Sequence, residues 1–209
     1  MERHWQAVLA CVFAGCAITA AHAQSVAQRP TIVAGDAWKF NQTLTPPDEK
    51  ASKWWSRTVL EVAPNDVLKV RNGDNTVSDY DGAMNFIPEG RADYTWTLVK
   101  YPLKVGDEWE LSRKFQDPRT AASGKAKVVA QETITVPAGT FDCYRVEAEA
   151  QITNPPSYHQ DLSWTRWYCP GAKWIAKQIY KTSVNNAWQA AGNGTTVTTS
   201  ELAKFTPGK

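Results

Sequence analysis

The sequence predicts an all-β, mainly antiparallel protein: a curved sheet, half-barrel or sandwich of roughly ten strands, with two similar halves as one way to build it. Three observations predict this class. Apolar and polar residues alternate with a period of two, turn residues such as Pro, Gly, Asn and Asp separate the alternating segments, and aromatic residues reach 11% of the 209-residue chain. No segment carries the 3.6-residue periodicity of a long amphipathic helix.

Residues 1–23 predict a cleaved export signal rather than a part of the fold. A short polar start precedes an almost wholly apolar run from Ala7 to Ala20, which is shorter than the ~20 residues that a membrane-spanning helix needs. Ala21-His22-Ala23 then has the small-x-small pattern of a signal-peptidase site. We therefore expect cleavage before Gln24 and a periplasmic or secreted protein with no transmembrane segment left after cleavage.

A lipid anchor is the alternative to soluble export. Phe13-Ala14-Gly15-Cys16 resembles a lipobox, in which Cys16 would become the lipidated first residue. Phe is a poor substitute for the usual Leu, and the apolar stretch before it is short. Soluble export is therefore the favoured prediction, with the anchor through Cys16 kept as its alternative.

The rest of the chain predicts one β-domain with short ends. We assign residues 24–34 to an N-terminal extension, 35–205 to the domain and 206–209 to a C-terminal tail. This length suits a single domain with a substantial core. The formal net charge is +2, and the basic residues are scattered among acidic ones. A nucleic-acid partner would need a concentrated basic face, so we expect none.

Two hairpins mark the strands most clearly. The first joins residues 58–62 to 67–70 through Ala63-Pro64-Asn65-Asp66, where turn residues lie between two apolar runs. The second joins the strands on either side of Pro137-Ala138-Gly139-Thr140. By contrast, the Gly and Pro residues of Ser78 to Ala92 predict an irregular segment.

A short motif recurs and suggests an internal repeat. Gly35-Asp36-Ala37-Trp38 returns as Gly106-Asp107-Glu108-Trp109, each at the start of a predicted strand. We place the two weak repeats at 35–102 and 106–182, which would form two similar antiparallel sheets that face each other or join edge to edge. Chance similarity between short β segments is the alternative.

Cys143 and Cys169 predict a disulfide, since an even pair in an oxidising compartment is typically bonded. Two free buried thiols are the alternative. If the segments around the two cysteines form a hairpin, setting Cys143 opposite Cys169 fixes the register of both strands. That register pairs Arg145 with Trp167, Val146 with Arg166, Ala148 with Trp164 and Ala150 with Leu162. The disulfide would then be structural, and no Cys-x-x-Cys motif indicates a redox role.

Catalytic and metal-binding patterns are weak. The only histidine beyond the signal is His159, in a Pro-rich loop, and no Gly-x-Ser-x-Gly motif is present. The segment 72–82 is rich in Asp and Asn, but its spacing does not match a calcium loop and fits turns instead. We therefore assign no catalytic residue, no metal site and no cofactor.

Tryptophans are the remaining candidates for function. We select Trp54, Trp55, Trp96, Trp164 and Trp167 as ligand-binding residues, because an indole combines a large apolar area with a polar N–H. Trp54 and Trp55 are adjacent in a predicted strand and should point to opposite faces, as should Trp164 and Trp167. Packing in an aromatic core is the alternative for each of them.

One long motif carries a resemblance. Val136-Pro137-Ala138-Gly139-Thr140-Phe141-Asp142-Cys143-Tyr144-Arg145-Val146, followed by Trp167-Tyr168-Cys169-Pro170-Gly171, resembles exported bacterial proteins of the TapB-like, domain-of-unknown-function kind. Such sequences also carry the element found here from Pro102 to Trp109, so the resemblance covers residues 100 to 182. It implies a curved antiparallel sheet of the sort seen in periplasmic lipoprotein carriers, and no established activity. The cysteine positions often hold other residues in such proteins.

The sequence thus predicts an exported β-protein that binds an apolar or amphipathic ligand, with a lipid, a glycan or an envelope protein as possible partners, rather than an enzyme. Two alternatives stay open: a hydrolase of envelope glycans or lipids with unidentified carboxylates, and a purely structural accessory protein. A wide apolar concavity lined by Trp would favour the binding protein. Buried carboxylates near His159 would favour the enzyme, and a filled core under flat polar surfaces would favour the accessory protein.

Overall fold

The computed structural model describes four stretches of the chain: 25–88, 92–156, 158–186 and 194–209. The expected signal segment 1–23, its cleavage site before Gln24 and the alternative anchor Cys16 lie outside these stretches. Within them, no helix has the length and apolar character needed to cross a membrane.

The described residues form eleven strands in one open antiparallel sheet. The strands are β1 (Ala37–Thr45), β2 (Trp54–Ala63), β3 (Val67–Asn72), β4 (Val77–Asp81), β5 (Phe86–Ile87), β6 (Glu108–Ser112), β7 (Ala121–Val136), β8 (Gly139–Asn154), β9 (Tyr158–Cys169), β10 (Trp174–Asn186) and β11 (Gly194–Thr206). Their order in space is β5-β4-β3-β2-β1-β11-β10-β9-β8-β7-β6, so β5 and β6 form the two edges. The predicted all-β class is confirmed, as one open sheet.

The sheet is strongly curled. In the turn between β7 and β8, the Ala138 N–H donates a hydrogen bond of 2.9 Å to the carbonyl oxygen of Leu202 in β11, although β9 and β10 separate β8 from β11. A flat sheet would hold these two residues far apart, because neighbouring strands lie about 4.8 Å from each other. The register also shifts in four strand pairs, next to Phe40, Val59, Val128 and Ile175. Such bulges bend and twist strands.

The hydrophobic core covers one face of the sheet, which we call the inner face. In β8 the alternation is clear: Tyr144, Val146, Ala148 and Ala150 are buried, whereas Glu149 between them is exposed. Period-two patterning therefore sends the apolar residues of this long strand to the inner face. The largest fully buried side chains include Trp38, Tyr168, Phe40, Leu68, Leu103, Leu111, Ile175 and Leu202.

The predicted register of β8 and β9 is confirmed together with the disulfide. Arg145 lies opposite Trp167 and Ala148 opposite Trp164, and the other predicted pairs follow the same ladder. Cys143 and Cys169 form a disulfide just beyond the end of this ladder, with their Cα atoms 4.1 Å apart. The bond links the end of β9 to the start of β8 and is buried in the core.

The two Gly-Asp-x-Trp motifs make the same backbone hydrogen bonds. Gly35 N–H donates to Val59 O at 2.8 Å and Val59 N–H to Asp36 O at 2.9 Å, and the same two bonds join the Gly106-Asp107 motif to Val128 at 2.8 and 2.9 Å. Both glycines have positive φ angles, 90° and 98°, which favour glycine. The predicted limits of the repeats and of the domain stay predictions.

The expectation of an irregular segment from Ser78 to Ala92 is wrong in part. Ser78 to Asp81 belong to β4, which pairs with β3, and Phe86–Ile87 form the edge strand β5. Local Gly and Pro signals predicted a loop, but pairing with β3 supplies hydrogen bonds that a short window of sequence does not reveal. Turns do occupy the residues between β4 and β5.

Candidate functional site

A cleft of about 580 Å³ opens on the inner face, and we call it the inner cleft. Strands β1 to β4, β9 and β10 provide one side of it. Residues 84–88, the connector 94–98 and Arg113 after β6 provide the rest. Seven aromatic residues line it: Trp55, Tyr80, Phe86, Tyr94, Trp96, Trp164 and Trp174. The lining is therefore rich in aromatic residues and comes from segments distant in sequence.

The aromatic rings hold one another in place. Trp55 stacks on Phe40 with ring centroids 3.9 Å apart and meets the edge of Trp174 at 5.8 Å. On the other side, Trp96 contacts Trp164 at 5.8 Å. Such pairs stabilise by about 0.5–1.5 kcal/mol each beyond the burial of their area. The rings are thus fixed before any ligand arrives.

Asn85 fixes the connector that carries Trp96. This buried side chain accepts hydrogen bonds from the backbone N–H groups of Leu98 and Val99 at 2.9 and 3.1 Å, and it donates to Val99 O and to Asp81. All the hydrogen-bonding positions of the amide are used. The connector is therefore attached to the β4–β5 turn, and Trp96 is held over the sheet.

Three arginines add positive charge to the aromatic lining: Arg57, Arg113 and Arg166. The guanidinium of Arg57 lies 5.2 Å from the ring centroid of Trp55, and that of Arg113 lies 5.6 Å from the centroid of Trp96. Burial lowers the pKa of Arg113 below its usual value, although a guanidinium stays charged in proteins. No Asp, Glu or His is found among the described residues that line the cleft.

Several polar atoms in this wall have no hydrogen-bond partner among the described residues: Trp174 Nε1, Arg113 Nε, Arg166 Nε and Asn72 Oδ1. Buried polar groups are normally paired, so each of these is unusual. Three of the four are donors. The wall of the cleft therefore has an excess of unpaired N–H groups.

The structure brings together three of the five tryptophans selected from the sequence. Trp55, Trp96 and Trp164 line the inner cleft. Trp54 is 46% exposed and borders a separate depression with Gly73, and Trp167 donates to Glu132 Oε1 at 2.6 Å outside the cleft. The ligand-binding role of all five stays a prediction, and the inner cleft offers no place for Trp54 or Trp167.

Sequence reasoning missed Trp174 and the three arginines. A signal for two of them was present: Trp55-Ser56-Arg57 and Trp164-Thr165-Arg166 repeat the pattern Trp-x-Arg within strands. A spacing of two places each arginine on the same face as its tryptophan. No comparable pattern marks Arg113, which reaches the cleft from the end of an edge strand.

The other chemical candidates lie outside the cleft. His159 Nε2 is 3.0 Å from Asp161 Oδ1, and both side chains are about half exposed. In the segment 72–82, Thr76 donates to Asp74 and holds the pKa of that carboxyl below its usual value, while Asp79 pairs with Lys69 at 2.8 Å. The parts of the chain that the structure describes contain no group of three His, Cys, Asp or Glu residues suited to a metal.

Residues 114–182 match the DUF3108-like family. This match covers β7 to β9 and most of β10, the region in which the sequence resembles proteins with a domain of unknown function. The matched part of the chain includes Trp164, Arg166 and Trp174 of the inner cleft. No curated protein matches the sequence.

Three solved structures are similar in outline. An exported protein with a YmcC-like fold from Bacteroides fragilis shares 16% identity, with a TM-score of 0.47 over 86% of this chain and 99% of that one. A lipoprotein from Parabacteroides distasonis shares 15%, with a TM-score of 0.45 over 88% and 100%. The hypothetical lipoprotein YmcC from Escherichia coli shares 12%, with a TM-score of 0.43 over 85% and 89%. All three are described as exported proteins or lipoproteins.

Proposed function

We propose that this chain is an exported envelope protein that binds the apolar part of an amphipathic ligand in the inner cleft. The observation that carries the proposal is the cleft itself, which holds about 580 Å³ and is lined by Trp55, Trp96 and Trp174. Ligand sites in proteins are concave, mostly apolar and about 300–1,000 Å³ in volume. The related proposal that the chain is TapB-like rests on the sequence motifs Val136 to Val146 and Trp167 to Gly171, together with the element from Pro102 to Trp109.

The physical basis is the apolar surface that the rings expose to the cleft. Trp55 and Trp96 are only partly buried, although both pack against the core. An apolar chain that packs against them would remove this surface from water, with a gain of about 25 cal/mol per Å² before the costs of ordering the ligand. The contacts of Trp55 with Phe40 and of Trp96 with Trp164 already fix these rings, so binding needs little rearrangement of the protein.

The inner cleft offers neither alternative function a comparable observation. A hydrolase would need a general acid or base in the cleft, and its described lining holds no Asp, Glu or His. The buried carboxylate of Asp36 is instead paired with Lys173, away from the cleft. A purely structural accessory protein does not need a ligand site and therefore does not account for the aromatic residues that line the cleft.

The test is binding of a single-chain amphiphile to the mature chain and to one cleft variant. Trp96→Ala removes a half-buried ring from the connector, and we expect at least about 10-fold weaker binding, as for loss of one large apolar contact. Trp54→Ala is the matched control, because that ring is 46% exposed and outside the cleft. Equal effects of the two substitutions on the dissociation constant, measured by calorimetry, would contradict the proposal.

Native mass spectrometry of the protein purified from the envelope gives an independent test. A co-purifying mass that is lost on denaturation would identify the chemical class of the ligand. The same spectrum would report whether the chain starts at Gln24. It would also show whether Cys143 and Cys169 are two hydrogens short, as the disulfide requires.

A further inference from the structure

Charge is distributed unevenly around the inner cleft. Arg57, Arg113 and Arg166 line it, and no carboxylate is found among its described lining residues. Three other arginines of the described chain are paired: Arg29 with Asp66, Arg119 with Asp117, and Arg145 with Glu132 and Glu147. The exposed Arg71 is in none of the salt bridges of the described residues, but its charge faces water. None of the salt bridges in the described residues includes a cleft arginine.

The cleft arginines are held by neutral groups that leave donors free. Arg57 donates to the Tyr80 hydroxyl at 2.8 Å and to Ser56 O at 2.9 Å, which uses two of the five N–H groups of a guanidinium. Arg166 has one long contact, 3.4 Å, to the hydroxyl of Tyr168. These groups orient the guanidinium ions without neutralising them.

Partial burial makes an unpaired charge costly. The three arginines are intermediate in exposure, so part of their hydration is lost on folding, and none of them forms a salt bridge with a carboxylate of the described residues. The unpaired Arg113 Nε and Arg166 Nε, together with Trp174 Nε1 on a side chain only 6% exposed, show the same deficit of acceptors. An anion in the cleft would supply both the missing charge and the missing acceptors.

We infer that the ligand of the inner cleft carries an anionic oxyanion headgroup, a phosphate or a carboxylate, which Arg57, Arg113 and Arg166 bind while the tryptophans hold an apolar chain. This inference rests on the proposed binding function and adds the class of ligand. Guanidinium groups suit such headgroups, because their planar fork donates two parallel hydrogen bonds to one anion. Stacking of Arg57 on Trp55 and of Arg113 on Trp96 places charge and apolar surface side by side.

The headgroup is tested with probes that share one decyl chain. Calorimetric titration of the mature protein, below the micelle concentration, compares decyl phosphate, decyl maltoside and decyltrimethylammonium, with inorganic phosphate as a chainless probe. We expect decyl phosphate to bind at least about 10-fold more tightly than the other two, and to weaken as salt is added. We expect inorganic phosphate alone to bind far more weakly.

The outcomes separate this inference from the proposed function. Equal binding of the three decyl probes would overturn the anionic headgroup and leave the apolar cleft intact. Inorganic phosphate binding as tightly as decyl phosphate would support the anion site and overturn the role of the apolar chain. Absence of binding by every probe would overturn both.

Arginine variants locate the effect. We expect Arg166→Gln and Arg113→Gln each to weaken decyl phosphate at least about 10-fold and decyl maltoside less than about 3-fold. Arg71→Gln is the matched control, since Arg71 is an exposed strand residue outside the cleft. An unchanged near-UV circular dichroism spectrum shows that a variant is folded. If Arg166→Gln or Arg113→Gln does not fold, Arg57→Gln is measured in its place. Equal losses for Arg71→Gln and the cleft variants would contradict the inference.

Discussion

The two Gly-Asp-x-Trp motifs share one backbone geometry but lie at different depths in the molecule. The indole N–H of Trp38 donates a hydrogen bond of 2.7 Å to the carbonyl oxygen of Ala172. The indole N–H of Trp109 donates one of the same length to the carbonyl oxygen of Thr97. Trp38 is 1% exposed because β1 lies between β2 and β11, whereas Trp109 is only partly buried because β6 is an edge strand. The local sequence determines how each strand starts, and the neighbouring strands determine how much each residue stabilises the fold.

The two aspartates differ even more than the tryptophans. Asp36 is fully buried, pairs with Lys173 at 2.9 Å and accepts the backbone N–H groups of Val33 and Gly208 at 2.8 Å. Asp107 is exposed. One carboxylate therefore connects the start of β1, the turn before β10 and the C-terminal residues, whereas its counterpart only begins an edge strand.

We expect the two motifs to differ most in the loss of unfolding free energy when their tryptophans are substituted. Trp38→Ala should destabilise the protein by about 3–5 kcal/mol, because it leaves a large cavity in the core and an unpaired carbonyl at Ala172. Trp109→Ala should cost less than half as much, since its ring is only partly buried. Urea unfolding followed by far-UV circular dichroism measures both. Equal losses would show that β6 is as well packed as β1.

Asp36→Ala should follow, with a loss of about 3 kcal/mol, because the substitution leaves the Lys173 ammonium and two backbone N–H groups without their acceptor. Asp107→Ala should change the free energy of unfolding by less than about 0.5 kcal/mol, as exposed substitutions do. The same urea assay applies. A small effect at Asp36 would mean that water replaces the carboxylate.

Substituting the two glycines should give a smaller difference in stability between the motifs. Gly35→Ala and Gly106→Ala both place a side chain at positive φ, at a cost of about 1 kcal/mol. A Cβ at Gly35 would also lie 3.2 Å from the Cα of Gly208, whereas a Cβ at Gly106 meets nothing within 4 Å. We expect Gly35→Ala to lower the unfolding midpoint more than Gly106→Ala. The reverse order would contradict the tight packing of the C-terminal residues.

The smallest effect should be the pH dependence of the edge strand. A hydrogen bond from Lys127 holds the pKa of Glu108 below its usual value of 4.5, and the corresponding residue of the first motif is Ala37. Since the folded-state pKa is lowered, this pair stabilises the fold above pH 4.5 and the contribution is lost as the pH falls through the folded value. Glu108→Gln should therefore reduce stability slightly at pH 7, and this loss should shrink as the pH is lowered below 4.5. A loss that stays constant as the pH falls would exclude the ion pair as its cause.

Much of the sheet could be predicted because its information is local or constrained by covalent chemistry. The period of two identified β8, and opposing Cys143 and Cys169 fixed its register with β9. The same period showed that Trp54 and Trp55 point to opposite faces, but it could not say which face is inner. That choice depends on Phe40 and Trp174, which reach Trp55 through other strands.

The cleft could be predicted only in part, for a physical reason. Its lining combines β1 to β4 with β9 and β10, so it exists only once β11 has joined the two groups of strands. The connector with Trp96 depends on Asn85, whose four hydrogen bonds reach residues that spacing alone does not link to it. Long-range contacts of this kind leave no short motif.

The pairing of β1 with β11 has a consequence for how the protein matures. One edge of β1 pairs with β2, but its other edge is paired only when β11, the last described strand, has been synthesised. Asp36 likewise gains the hydrogen bond from the Gly208 N–H only at that stage. A chain that emerges N-terminus first therefore keeps this edge of β1 open until β11 has been delivered. We expect a product truncated before β11 to be cleaved by proteases more readily than the full chain, because one edge of β1 stays unpaired without β11.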